Sequence, residues 1–147
     1  MTGQAPGLPP PYGAPISLEA AKRVMAAAEA FASSRGWPVV IAVYDSAGLL
    51  KLLHRLDQSN LAAIELAQRK AATAVKFRRP TKAFEEILAG GGVRILSIAS
   101  EVVALEGGVP LFENGAVVGS IGVSGMSSPE DGEVAAAGVL AMDPAAG

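Results

Sequence analysis

The 147-residue sequence contains no cysteine and only one histidine, His54. The lack of cysteine excludes disulfides, thiolate metal sites, cysteine nucleophiles and iron–sulfur clusters. A single histidine excludes a metal site built from several imidazoles of one chain. No apolar run approaches the roughly 20 residues of a membrane helix, and the N-terminus lacks the pattern of a secretory signal. We therefore expect a soluble, cytoplasmic protein that does not bind membranes.

Charged and aromatic residues are also scarce. They make up 18% and 5% of the chain, and the formal net charge is -2. This charge provides no positive field for DNA or RNA, so we expect no nucleic-acid partner. Half of the residues are hydrophobic, which is enough for one core in a chain of single-domain size.

Proline and glycine divide the chain into two parts. Residues 1–15 hold five of the ten prolines and three glycines. Such a segment has little to bury and cannot form a helix, which predicts a flexible or polyproline-like arm. We expect a single folded domain over residues 16–147.

The remaining pattern predicts an α+β domain. Helices are expected from a Ser17 cap to Gly36, over 61–77 and 81–89, and from a Ser128 cap to about Met142. Strands are expected at 39–44, 49–56, 93–99, 109–113 and 116–124, and Asn114-Gly115 is a strong hairpin signal. The short connections favour one antiparallel sheet of about five strands with helices packed on it.

Several short strings, in this order and spacing, resemble the GlcG/HbpS family, also called haem-degrading domain proteins. These strings are IAVYDSAG at 41–48, RLD at 55–57, AQRKAATA at 67–74, GGVPL at 107–111 and VVGSIGVSG at 117–125.

The resemblance implies a profilin-like sandwich that forms homo-oligomers, which are octamers in the best-known members. Some members bind haem, and others form the C-terminal domain of corrinoid adenosyltransferases. Haem is therefore the cofactor that the resemblance implies, and the wider expectation is a small anionic ligand.

Lys70 interrupts a face of small apolar residues on the second predicted helix. One interpretation is a pocket ammonium that holds a carboxylate or acts as base or nucleophile. The other is a snorkelling lysine, or one paired with an internal acid such as Asp57 or Asp131. The resemblance favours the pocket.

Arg55, Asp57 and His54 lie where the second strand leads into the second helix. Arg55 and Asp57 are two residues apart, so they are candidates for an ion pair, or for a clamp and a base in a catalytic site. His54 is the only imidazole available as a haem ligand or proton shuttle, and strand alternation turns it away from Arg55.

The remaining candidates surround the Lys70 helix. Asp131 falls in the first turn of the last helix, where the helix dipole stabilises a carboxylate. The resemblance implies in addition a pocket role for Asp131, opposite Lys70. We expect further ligand contacts from Thr73, Gly108, Pro110, Ser124 and Gly125.

Two functions follow as hypotheses. The first is a binding protein for a small anionic molecule, with haem as the leading candidate and Lys70 at the centre of its pocket. The second is a cofactor-independent lyase, isomerase or hydrolase that acts on a small carboxylate or carbonyl compound through Lys70, Arg55, Asp57 and Asp131. A subunit with only an assembly role is the third alternative.

Overall fold

The computed structural model describes residues 7–143. Its helices are α1 (Leu18–Arg35), α2 (Ala62–Phe77), α3 (Thr81–Ala89) and α4 (Ser128–Leu140). Its strands are β1 (Val40–Asp45), β2 (Leu50–Arg55), β3 (Gly108–Glu113) and β4 (Ala116–Ser124). The α+β class is confirmed, whereas the profilin-like description stays a prediction.

Local sequence signals set the ends of the helices. The Ser17 side chain accepts a hydrogen bond from the Ala20 N–H at the start of α1, and Gly36 ends that helix in the left-handed conformation. At α4 the cap is Ser127, one residue before the predicted Ser128. Ser127 forms a reciprocal capping box with Glu130, which leaves Ser128 inside the first turn.

The four strands form one antiparallel sheet in the order β2-β1-β4-β3. Both predicted hairpins are confirmed, β1 with β2 and β3 with β4. On one face Ile41 and Val43 join a core formed with α1 and α4, and on the other face Val40 and Ala42 pack against α2. Burial on both faces explains why β1 lacks polar alternation.

The prediction of about five strands was wrong at residues 93–99. Val93–Ile98 form a 3₁₀ helix instead, so the sheet within residues 7–143 has four strands. The segment follows three glycines and satisfies its backbone locally, for example by the Ala99 N–H donating to the Leu96 carbonyl. None of its residues is buried, so its apolar side chains do not face a core as those of a sheet strand would.

The packed chain begins before the predicted boundary at Ile16. Pro11 and Gly13 form backbone hydrogen bonds of 2.8 Å with Val117 of β4. They lie on the side of β4 along which β1 pairs as far as Asp45. The Tyr12 hydroxyl donates to the carbonyl of Val75 at the end of α2. The first six residues of the predicted arm lie outside the described part of the chain.

No helix within residues 7–143 has the length and apolar character needed to span a bilayer.

Candidate functional site

A cleft of about 820 Å³ opens where the C-terminal end of α1 meets the end of β2. We call it the His54 cleft. Its lining residues come from α1, from the connection to β1 and from the end of β2: Glu29, Ser33, Gly36, Trp37, Pro38, Leu53, His54, Arg55, Leu56, Asp57 and Gln58. Three of the predicted site residues therefore share one cavity.

His54 is held by a carboxylate on the neighbouring helix. Its Nδ1 lies 2.5 Å from Oε1 of Glu29, and both side chains are about half exposed, at 48% and 43%. A carboxylate on one imidazole nitrogen fixes the ring and leaves Nε2 to bind a proton or a metal. Histidines that bind metal ions usually have such a partner on the other ring nitrogen.

Arg55 and Asp57 line the same cleft but do not form the ion pair that their spacing allowed. Both are exposed, and among residues 7–143 neither has an ion pair or a side-chain hydrogen bond. The Arg55 guanidinium is therefore a cation with all of its donors available to an anion that enters the cleft. His54 and Arg55 reach one cavity because β2 is an edge strand and ends at Arg55.

The apolar wall of the His54 cleft includes Trp37, the only tryptophan of the chain. Its ring packs edge-on against the Phe31 ring, with the ring centroids 6.1 Å apart. The Arg35 guanidinium lies over both rings. Leu53 and Leu56 continue the wall. The sequence argument missed Glu29 and Trp37, because their place beside His54 depends on how α1 packs against β2.

Lys70 lies elsewhere and its charge is satisfied within the protein. Its side chain is 1% exposed, and Nζ donates to Asp131 Oδ2 at 3.0 Å and to the Val123 carbonyl at 2.9 Å. Val123 lies opposite Gly107, one residue before β3 begins, and its carbonyl points to the same side. No residue of β3 therefore donates a hydrogen bond to that carbonyl. The ammonium takes the place of that strand partner.

Two glycines allow Lys70 to pack closely, Gly107 beside its side chain and Gly108 beside its backbone carbonyl. A Cβ at Gly107 would lie 2.5 Å from the Val123 carbonyl oxygen and 2.9 Å from Lys70 Nζ, and one at Gly108 would collide with the Lys70 carbonyl. Gly107 also has φ 136°, which side chains rarely adopt. The Gly107-Gly108 pair therefore serves the approach of α2 to β3.

Asp131 completes this buried arrangement. Its Oδ1 accepts the Met126 N–H at 2.9 Å, so both carboxylate oxygens are bound. Burial raises the pKa of Asp131, although the Lys70 ammonium and the Met126 N–H oppose the shift. The pair joins α2 to the first turn of α4 around the end of the sheet.

Two of the other predicted ligand contacts, Thr73 and Gly108, have hydrogen-bond partners within the protein. The Thr73 hydroxyl donates to the Arg69 carbonyl and accepts the Val103 N–H, and the Gly108 N–H donates to Thr81. A Cβ at Gly125 would press on the Pro38 carbonyl at 2.8 Å. The predicted residues that are buried and lie outside the His54 cleft are Lys70, Thr73, Gly108, Pro110, Ser124 and Asp131.

The predicted site residues thus fall into two groups. Lys70 and Asp131 come together beside β3 and β4, as one interpretation of Lys70 expected, whereas His54, Arg55 and Asp57 meet at the β2 edge. Strands β1 and β4 lie between β2 and β3. Within residues 7–143 no hydrogen bond or ion pair links Lys70 to Arg55 or Asp57.

No group of three or more histidine or acidic side chains within residues 7–143 is arranged to hold a metal ion by itself.

Known proteins share the sequence pattern and the fold of this chain. The family described as "Haem degrading protein HbpS-like" matches residues 16–140. Protein GlcG of Escherichia coli K12 is 39% identical over 109 residues, which cover 74% of this chain and 81% of GlcG.

Two solved structures share the fold. A double mutant of HbpS from Streptomyces reticuli superimposes with a TM-score of 0.80 at 30% identity and covers 97% of this chain and 96% of its own. The crystal structure of a PduOC:haem complex has a TM-score of 0.79 at 27% identity, with 86% of this chain and 94% of PduOC covered.

Proposed function

This chain belongs to the HbpS-like family of haem-degrading proteins, and from that membership we propose that it binds haem in the His54 cleft. The observation that carries the proposal is the His54–Glu29 pair, which presents an oriented imidazole at a cavity with an apolar wall. A structural neighbour from the same fold forms a complex with haem.

The residues of the His54 cleft fit the chemistry of haem. An iron porphyrin requires an axial ligand, apolar contact for the macrocycle and cations for its propionates. His54 offers Nε2, while Trp37 and Leu53 offer apolar surface. The partner-free guanidinium of Arg55 is the matching cation for a propionate.

Each side chain then has a distinct task. Glu29 keeps the proton of the neutral imidazole on Nδ1, so the unshared pair of Nε2 is directed outward. Arg55 orients the anionic edge of the ligand, and the Trp37 wall excludes water from one side. When bound, haem supplies the iron centre for ligand binding and redox chemistry.

A titration with haemin tests the proposal. We expect the native protein to develop a Soret band of a ligated haem, and His54→Ala to lose that spectrum and bind more weakly. Lys51→Ala, three positions before His54 on β2 and outside the cleft lining, is the matched control and should bind like the native protein. A native protein that leaves the haemin spectrum unchanged, or a His54→Ala protein with an unchanged complex, would contradict the proposal.

The anion acceptor of the site is therefore proposed to be Arg55 rather than Lys70. The Lys70 ammonium is enclosed and paired with Asp131, so a ligand would have to displace a buried carboxylate to reach it. Arg55 has no such competitor. Arg55→Gln should weaken haemin binding without changing the position of the Soret band, because the iron ligand is retained.

A further inference from the structure

A second groove adjoins the His54 cleft on the surface of α1. It has a volume of about 460 Å³ and is lined by Lys22, Met25, Ala26, Glu29, Ala30, Ser33, Leu52 and His54. We call it the Lys22 groove. It shares Glu29, Ser33 and His54 with the His54 cleft, so the His54–Glu29 pair forms the wall between the two cavities.

The groove follows one stripe of α1. Its helical residues recur every three or four positions, from Lys22 through Ala26 to Ala30, which places them along one side of the helix. The two alanines are exposed and too small to fill the space, and Leu52 on β2 adds apolar surface opposite them. The middle of the groove is aliphatic.

Three polar side chains line the groove besides His54. Glu29 lies along its side and is engaged by His54, and Ser33 stands at one end. Lys22 at the other end is exposed, and within residues 7–143 it has no hydrogen bond or ion pair. Lys22 and Ala30 are eight positions apart, which corresponds to about 12 Å along the helix axis. The groove is an aliphatic channel of that length with a partner-free cation at its entrance.

We propose that the Lys22 groove binds a medium-chain alkyl carboxylate. The carboxylate pairs with the Lys22 ammonium, and the alkyl chain lies over Ala26 and Ala30 against Leu52. Charge complementarity selects the anionic head, while the apolar stretch formed by Ala26, Ala30 and Leu52 selects the saturated chain. This site goes beyond the proposed haem site and does not depend on haem being bound.

Calorimetric titration of the haem-free protein with octanoate tests this site. The native protein should bind, and Lys22→Met should bind roughly tenfold more weakly, because the charge-assisted contact is lost while the apolar stem is kept. Arg23→Met is the matched control: Arg23 is the next residue, pairs with Glu19 and does not line the groove. It should bind octanoate like the native protein.

Chain length and groove filling give two further measurements. Each methylene added between butanoate and octanoate should tighten binding about threefold to fourfold, as expected for apolar burial. Ala30→Leu, at an exposed helix position, should leave the melting temperature unchanged and abolish octanoate binding. No binding by the native protein, equal binding by Lys22→Met, or affinity independent of chain length would overturn the inference. A failed haemin titration would leave it intact.

Discussion

At the scale of single residues, the Lys70 ammonium occupies a point where the sheet leaves a carbonyl without a strand partner. Val123 O and Asp131 Oδ2 both accept from Nζ, and the side chain is enclosed. Because burial of an unpaired charge is costly, each member of this pair requires the other. These contacts therefore support a structural role, in which Lys70 holds α2, β4 and α4 together.

Lys70→Met should destabilise the fold by about 3–5 kcal/mol, because it strands a buried carboxylate. Chemical denaturation followed by circular dichroism measures the loss. The double variant Lys70→Met with Asp131→Asn removes both charges and should recover part of the stability. Lys76→Met is the matched control on the same helix: its ion pair with Glu101 is half exposed, so its loss should cost less than about 1 kcal/mol. Full stability of Lys70→Met with impaired ligand binding would instead support the pocket interpretation.

The titration of Asp131 should appear in the pH dependence of stability. Burial raises its pKa in the folded protein, so the folded state takes up this proton more readily than the unfolded chain does. The contribution of Asp131 is thus largest at acidic pH and is lost as the pH rises through the folded pKa. As the pH falls from 7 towards 4, the native protein should gain stability relative to Asp131→Asn. A difference between the two proteins that moves the other way would show that Lys70 outweighs burial.

At the scale of elements, the segment before α1 fastens the C-terminal end of α2. The Tyr12 hydroxyl donates to the Val75 and Lys76 carbonyls, and the Arg78 guanidinium lies 4.9 Å from the centre of the Tyr12 ring. Arg78 also donates to the Pro10 carbonyl. A helix end leaves carbonyls without partners, and this segment satisfies two of them.

Tyr12→Phe should lower the free energy of unfolding by about 0.5–1.5 kcal/mol, the usual value of one hydrogen bond. Thermal or urea unfolding gives the value. The matched control is Tyr44→Phe, because no hydrogen bond of the Tyr44 hydroxyl is present within residues 7–143, and it should be close to neutral. Deletion of residues 1–15 should cost more than Tyr12→Phe, since it also removes the Pro11 and Gly13 pairing with Val117. An unchanged melting temperature after that deletion would contradict the docking.

At the scale of the whole molecule, a single chain leaves several large apolar side chains exposed where α3 meets the 3₁₀ helix. The 3₁₀ helix and the end of α3 expose Ile87, Val93, Leu96 and Ile98 between 38% and 62%. Contiguous apolar surface of this kind marks an interface in many proteins. Because the residues of a single chain cover none of these four fully, association between copies is the expected way to bury them.

We expect the protein to be a homo-oligomer at micromolar concentration, as its family resemblance also implies. Multi-angle light scattering measures the mass directly. Leu96→Glu should lower that mass while the circular dichroism spectrum is retained, because the residue is exposed within the chain. Leu49→Glu, an equally exposed leucine in the turn before β2, is the comparison variant. A monomeric native protein would contradict the expectation.

Sequence alone determined the elements whose causes are local. The serine and glycine signals at the ends of α1, the Asn114-Gly115 hairpin and the apolar run of β1 each act within a few residues. The segment 93–99 was wrongly predicted to be a strand, because apolar composition does not show whether a partner strand lies beside it. Its local hydrogen bonds and exposure, rather than its composition, identify it as a 3₁₀ helix.

Only the tertiary structure decided which charged groups meet. From the sequence, Lys70 had Asp57 and Asp131 as candidate partners, only the family resemblance pointed to Asp131, and Glu29 had no stated relation to His54. Packing of α1 on β2 brought residues 25 positions apart to within 2.5 Å, and the route of α4 around the end of the sheet brought Asp131 to Lys70 from 61 positions away. Spacing along a helix or strand constrains neighbours on that element, whereas contacts between elements depend on how their apolar faces dock.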